Sequence, residues 1–167
     1  MRRSEFDEPS HGSTWLLASG ALVSVAAVAA ALISQHVFGM EPCPYCVLQR
    51  VIFLAIAIAS AVALFASKAV ARRIAAGIGL LLSLCGLVTA LYQHFVAAAS
   101  ASCNLTLADK IVGAMHLDSW LPDVFSARAS CADAAVDLLG IPYEFWSLAL
   151  FIALAVALVR VMQRPMA

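Results

Sequence analysis

Apolar residues in this chain fall into four long runs, Thr14 to Val37, Val47 to Ser67, Ile74 to Val96 and Tyr143 to Met162. Roughly 20 apolar residues in a helix, rising about 1.5 Å each, cross the hydrocarbon core of a bilayer. Within lipid a backbone must satisfy its own hydrogen bonds, which favours helices. The pattern therefore predicts an all-α integral membrane four-helix bundle, a single transmembrane domain over residues 1–167. The connections differ in character. Residues 38–46 form a short loop through Gly39-Met40-Glu41-Pro42, Lys68 to Arg73 a short basic turn, and residues 97–142 a long loop rich in acidic residues. Inside that loop, Met115 to Phe125 mixes Leu117, Trp120, Leu121, Val124 and Phe125 with Asp118 and Asp123. That mixture suits a short amphipathic segment lying on a membrane surface.

Composition sharpens the class. The chain is 63% hydrophobic and only 12% charged, too few charges to clothe a soluble domain. Formal net charge is zero and no basic block occurs, which argues against nucleic acid as a partner. The lysines and arginines are unevenly placed. Arg2 and Arg3, the Lys68/Arg72/Arg73 turn, and Arg160 and Arg164 share one side of a four-span topology. The other side has Lys110 and Arg128 in its loops, with Arg50 just inside the membrane edge. Both termini are thus expected in the cytoplasm and both cysteine-bearing loops outside. The first run reads as an uncleaved anchor, because Trp15 to Ile33 exceeds the usual signal-peptide apolar region of about 7–15 residues.

Candidate chemistry gathers at the mouth of the second run, in Glu41-Pro42-Cys43-Pro44-Tyr45-Cys46-Val47-Leu48-Gln49-Arg50. Two cysteines separated by two residues close a small ring, reducible and reactive rather than structural. If Val47 onward is helical, Cys46 sits at a helix N-terminus, where N–H groups and the dipole favour a thiolate. Arg50, at i+4 from Cys46, shares its helix face, and a charge at membrane depth is costly enough to signal a task. A zinc site would need a second cysteine or histidine pair, and attached haem would need histidine after Cys46, where Val47 stands. Pro44 stiffens the motif and removes an N–H. His36 reads as an interfacial polar residue. Cys85, amid Leu82, Leu84 and Leu87, reads as a packing residue. His94, at the outward end of the third run, stands level with the motif and is a candidate donor to a carbonyl ligand. Cys103 and Cys131, 28 positions apart in the long loop, fit a structural staple or a partner for thiol–disulfide exchange. Nothing catalytic stands out in the fourth run.

Taken together, these residues resemble the disulfide bond formation protein B (DsbB) family. The likeness rests on four spans, an early Cys-x-x-Cys followed by Arg50, and paired cysteines in the second outward loop. Gln35-His36-Val37, Leu117-Asp118-x-Trp120-x-Pro122-x-Val124-Phe125 and Asp137-x-Leu139-Gly140 extend it over Trp15 to Met162. The resemblance implies a bacterial inner-membrane, quinone-dependent thiol:disulfide oxidoreductase without a metal. Such a protein reoxidises a periplasmic DsbA-like thiol oxidase of thioredoxin fold and passes the electrons to ubiquinone or menaquinone. By position, it implies that Cys103 is attacked by the reduced partner, with Cys131 as its loop mate. Cys43 and Cys46 then accept the electrons, Cys46 contacts the quinone, Arg50 supports quinone and thiolate, and His94 belongs to the quinone site. Gln49 stands where some relatives have glutamate, and Pro44-Tyr45 fills the motif. Two rivals remain. A vitamin-K-epoxide-reductase-like enzyme has its loop cysteines before the Cys-x-x-Cys, the reverse of the order here. A non-enzymatic membrane protein with two structural disulfides would trap no partner.

Overall fold

The computed structural model describes residues 11–99 and 106–163. In chain order the elements are α1 (His11–Phe38), α2 (Pro44–Phe65), α3 (Ala69–Tyr92) continued by a π-helical turn (Gln93–Ala97), α4 (Leu107–Ala114), α5 (Leu117–Trp120), α6 (Pro122–Phe125), a two-stranded ribbon β1 (Asp137–Leu138) and β2 (Ile141–Pro142), and α7 (Tyr143–Gln163). The four long helices are each long and apolar enough to cross a membrane. The chain is a multi-pass, all-α bundle, with the ribbon as a minor addition.

The second helix is the hub. Its most apolar stretch is 61% buried inside the protein, against 22%, 33% and 28% for α1, α3 and α7. Its start falls at Pro44 rather than Val47, because proline is well placed at the first helical position, where its missing N–H leaves nothing unpaired. Cys43 is the N-cap, and its Sγ accepts the Cys46 backbone N–H at 3.2 Å. The basic turn is likewise shorter than expected. Residues from Ala69 onward are already α3, and Arg72 is buried and donates to the Ala66 carbonyl at 3.0 Å, closing the corner.

In lipid, helices associate through close packing of small residues rather than through expulsion of water. Gly79 lies under Leu158 and Ala59, and Gly86 lies flat beneath the Phe151 ring. Phe151 in turn stacks on Phe53 with ring centroids 4.1 Å apart and planes 8° from parallel. These contacts lock α2, α3 and α7 together. The contact between α1 and α7 is looser, and a cavity occupies that gap. Cys85 points outward from α3 instead of packing within the bundle. An apolar thiol is at ease on a lipid-facing surface, so the leucines around it did not imply an interior position.

From Thr106 onward the long loop carries regular elements. Thr106 and Asp109 form a reciprocal capping box that starts α4, with Ala108 and Val112 buried beneath it and α4 packed on α2. In the expected amphipathic segment Phe125 turns inward, while Trp120 and Leu121 stay exposed. The chain then reverses through Leu139 and Gly140, at φ 57° and 77°, the left-handed pair that a tight two-residue hairpin needs. The ribbon delivers the chain directly into the first turn of α7.

Candidate functional site

Two loops meet at the start of α2. The N–H groups of Arg128 and Ala129 donate to the Pro42 carbonyl at 2.9 and 3.3 Å, binding the second loop to the first. This tether brings Cys131 beside Cys43, in the same buried cluster. Cys43 Sγ also lies 2.7 Å from Cys46 Sγ. Three sulfurs therefore stand in a row, Cys131–Cys43–Cys46, with Cys43 fully buried in the middle. Cys103 lies outside the described residues.

The electrostatics of the row are lopsided. The Cys43 thiol is pushed far above the ordinary cysteine range by its hydrogen bond to Cys131, then by that to Cys46, then by burial. The Cys131 thiol is held below that range by the same bond from Cys43, with burial opposing and the Tyr45 backbone N–H assisting. Cys43 thus keeps the proton and Cys131 carries the developing thiolate.

At the other end, Cys46 lines a cavity of about 260 Å³. Ala27, Val28, Ala31, Phe53 and Leu150 form apolar walls, and Gln49, Arg50, Gln93 and Glu144 bring polar groups to it. The amides form a short chain in which Gln49 Nε2 donates to Gln93 Oε1 at 2.7 Å and Gln93 Nε2 donates to Cys46 Sγ at 3.3 Å. Arg50 is buried and donates to Gln35 Oε1 and to the Val124 carbonyl, both at 2.8 Å, and to the Ala31 carbonyl at 3.4 Å. Gln35 Nε2 donates to the Asp123 carbonyl at 3.2 Å. Arg50 and Gln35 thereby pin α6 to the cavity mouth. A guanidinium at membrane depth is tolerable because carbonyl oxygens receive its protons.

The structure thus gathers Cys43, Cys46, Arg50 and Cys131. His94 takes a different position. Its Nδ1 lies 2.5 Å from Glu144 Oε1, and it stands outside the cavity lining that Glu144 joins. Sequence reasoning gave no role to Gln35, which it quoted only as part of the family pattern, nor to Gln93 and Glu144. Each sits at the end of an apolar run, where a polar residue ordinarily faces the interface. The available signal was that all three lie inside helical turns rather than beyond them.

An apolar slot with a few convergent donors is the form of a small-ligand site. Comparison with known proteins identifies the family. The family model described as "Disulfide bond formation protein DsbB" matches residues 13–161. The chain is 35% identical over 145 residues to Disulfide bond formation protein B of Ralstonia nicotianae, covering 86% of this chain and 90% of that protein. It is 34% identical over 145 residues to the protein of the same name from Cupriavidus metallidurans, covering 84% and 89%. With the Escherichia coli protein of that name it shares 31% identity over 156 residues, covering 90% and 86%. Four membrane-capable helices, a cysteine row at their mouth and a match along nearly the whole chain lead to one conclusion: this protein belongs to the DsbB family of membrane disulfide bond formation proteins.

Proposed function

We propose that this chain reoxidises a periplasmic, thioredoxin-fold, DsbA-like dithiol oxidase and passes the electron pair through its two cysteine pairs to a membrane quinone. The observation that carries the reading is the position of Cys43, in contact with the loop sulfur on one side and the cavity sulfur on the other. The cysteine loops face the periplasm and the termini the cytoplasm, supported by the placement of the lysines and arginines.

The exchange steps follow from thiol–disulfide chemistry. A partner thiolate attacks Cys103 Sγ of a Cys103–Cys131 disulfide, making a mixed disulfide and releasing Cys131 as thiolate. Cys131 Sγ attacks Cys43 Sγ, forming Cys131–Cys43 and releasing Cys46 as thiolate at the cavity. The second partner thiolate then displaces Cys103, and the partner leaves oxidised. Cys103 Sγ attacks Cys131 Sγ, restoring the loop disulfide and leaving Cys43 and Cys46 reduced. Their reoxidation to a disulfide hands two electrons onward. The depressed Cys131 thiol is the better leaving group in the first step, and the buried, proton-holding Cys43 is the protected centre through which the pair passes.

A quinone supplies the two-electron oxidising power that a strongly oxidising partner demands. The cavity residues fit one, with apolar walls for ring and tail and with Arg50 and Gln49 at hand for the carbonyl oxygens. Arg50 holds positive charge beside the Cys46 sulfur and keeps α6 closed over the mouth.

The test is to trap the partner. A thioredoxin-fold oxidase lacking its second motif cysteine attacks Cys103 of the loop disulfide, frees Cys131 and cannot release itself. A mixed disulfide on non-reducing gels that vanishes in Cys103→Ala is the expected result. No adduct from a normally inserted chain would return the loop cysteines to a structural role.

A further inference from the structure

The π turn that ends α3 points two neighbours in two directions. Gln93 reaches Cys46, and His94 reaches Glu144 in the first turn of α7. Glu144 is almost wholly buried, yet it borders two spaces, the cavity shared with Cys46 and a second pocket of about 340 Å³. His94 lines the second pocket but not the first, and its side chain is 31% exposed. Its ring is held between Phe95 and Phe145, with centroids 4.8 and 4.7 Å away. The result is a continuous sequence of second pocket, imidazole, carboxylate and cavity.

Burying a carboxylate is expensive, and a tie between two apolar helix ends is made more cheaply by neutral groups. This carboxylate instead faces the space where an acceptor would gain two electrons and need two protons. The other polar neighbours serve poorly as proton carriers. Arg50 stays charged, and the amides of Gln49 and Gln93 do not exchange protons at useful rates. Tyr143 also lines the cavity, with its hydroxyl toward Ser34, and Glu41 is exposed at the rim. Asp137 lines the second pocket together with His94.

We propose that His94 and Glu144 form the proton inlet of the cavity, a reading that rests on the quinone assignment above. His94 takes a proton from water in the second pocket at Nε2, passes the Nδ1 proton to Glu144 Oε1, and Glu144 presents it in the cavity. Two such passages accompany the two electrons released as Cys43 and Cys46 close their disulfide, and the proton held by Cys43 returns to water outside. Both protons of the partner dithiol, one of them held for a time on Cys43, thus reach that water, so charge and protons balance over a turnover.

The test starts with the full chain in detergent and no quinone. At acid pH the Glu144 carboxyl is identified in infrared spectra as the band lost in Glu144→Gln, and its exchange in D2O is timed. His94→Phe, which blocks the inlet while preserving a ring, is expected to slow that exchange about 10²-fold, and exchange at the unaltered rate would overturn the proposal. With a short-chain ubiquinone and a reduced partner, Glu144→Gln is expected to slow quinol formation about 10²-fold at alkaline pH, with Glu144→Asp active and added formate restoring the Gln variant. Mixed-disulfide formation at Cys103 stays unchanged in each and certifies the fold. A Gln variant matching the parent at every pH also overturns the inlet. A parent chain that makes no quinol at all would instead sink the quinone assignment, while the exchange measurement would still judge the proton path.

Discussion

Cys43 is the residue on which the site turns, and its neighbours explain why. It caps α2 with its own sulfur, touches Cys46 across one helical turn, and meets Cys131 from the other loop. Because Cys131 is held low mainly by the bond it receives from Cys43, its thiolate persists at pH values where a free cysteine, near 8.5, is protonated. Replacing Cys43 with Ala removes that bond. The Cys131 titration, followed by thiolate absorbance in the reduced chain, is then expected to move up, toward or beyond the free value, since burial remains. A titration that stays low would locate the stabilisation elsewhere. Half of this arrangement was legible beforehand. Cys46 and Arg50 one turn apart could be read from i, i+4 spacing, and both reach the same cavity. The Cys43–Cys131 contact could not, because it depends on a tether between the Pro42 carbonyl and backbone groups 86 and 87 positions away. Backbone hydrogen bonds leave no mark on side-chain pattern.

Helices were the easier reading, since the hydropathy of each run dictated its span. Errors fell at the ends, where single residues decide. Pro44 was expected to stiffen the motif ahead of a helix from Val47 but itself starts α2, and Arg72 looked like part of a turn but folds back to cap it. The π turn after Tyr92 was invisible, although it directs Gln93 and His94 to different partners. The seam of α3 and α7 gives the sharpest mechanical prediction. A methyl group on Gly86 would fall within the van der Waals envelope of the Phe151 ring, itself stacked on Phe53. Gly86→Ala is expected to destabilise the bundle by about 1–3 kcal/mol, visible as a lower thermal midpoint in detergent. Gly77→Ala, with only the end of Met162 at 3.9 Å, should leave the midpoint near its original value. Equal behaviour of the two variants would mean that the seam is not tightly packed.

In the whole molecule, the most buried helix of the bundle carries the chemistry to one end. The long loop does not hang free over that end. It is anchored through α4 on α2, through Arg50 on Val124, and through Pro42 on the approach to Cys131. The sequence pattern gave no sign that a membrane-depth arginine would hold the loop down, because an i+4 alignment with Cys46 already offered Arg50 a partner. The central claim is that electrons from a partner dithiol leave this protein at Cys46. Its most direct test is anaerobic and uses the purified chain, a short-chain ubiquinone and a reduced thioredoxin-fold oxidase, with quinone absorbance and partner thiols followed together. The account predicts one quinone consumed for each partner dithiol oxidised, and a Cys46→Ala variant that still forms the adduct at Cys103 but consumes no quinone. Partner oxidation without quinone loss, or quinone loss undiminished in Cys46→Ala, would contradict it.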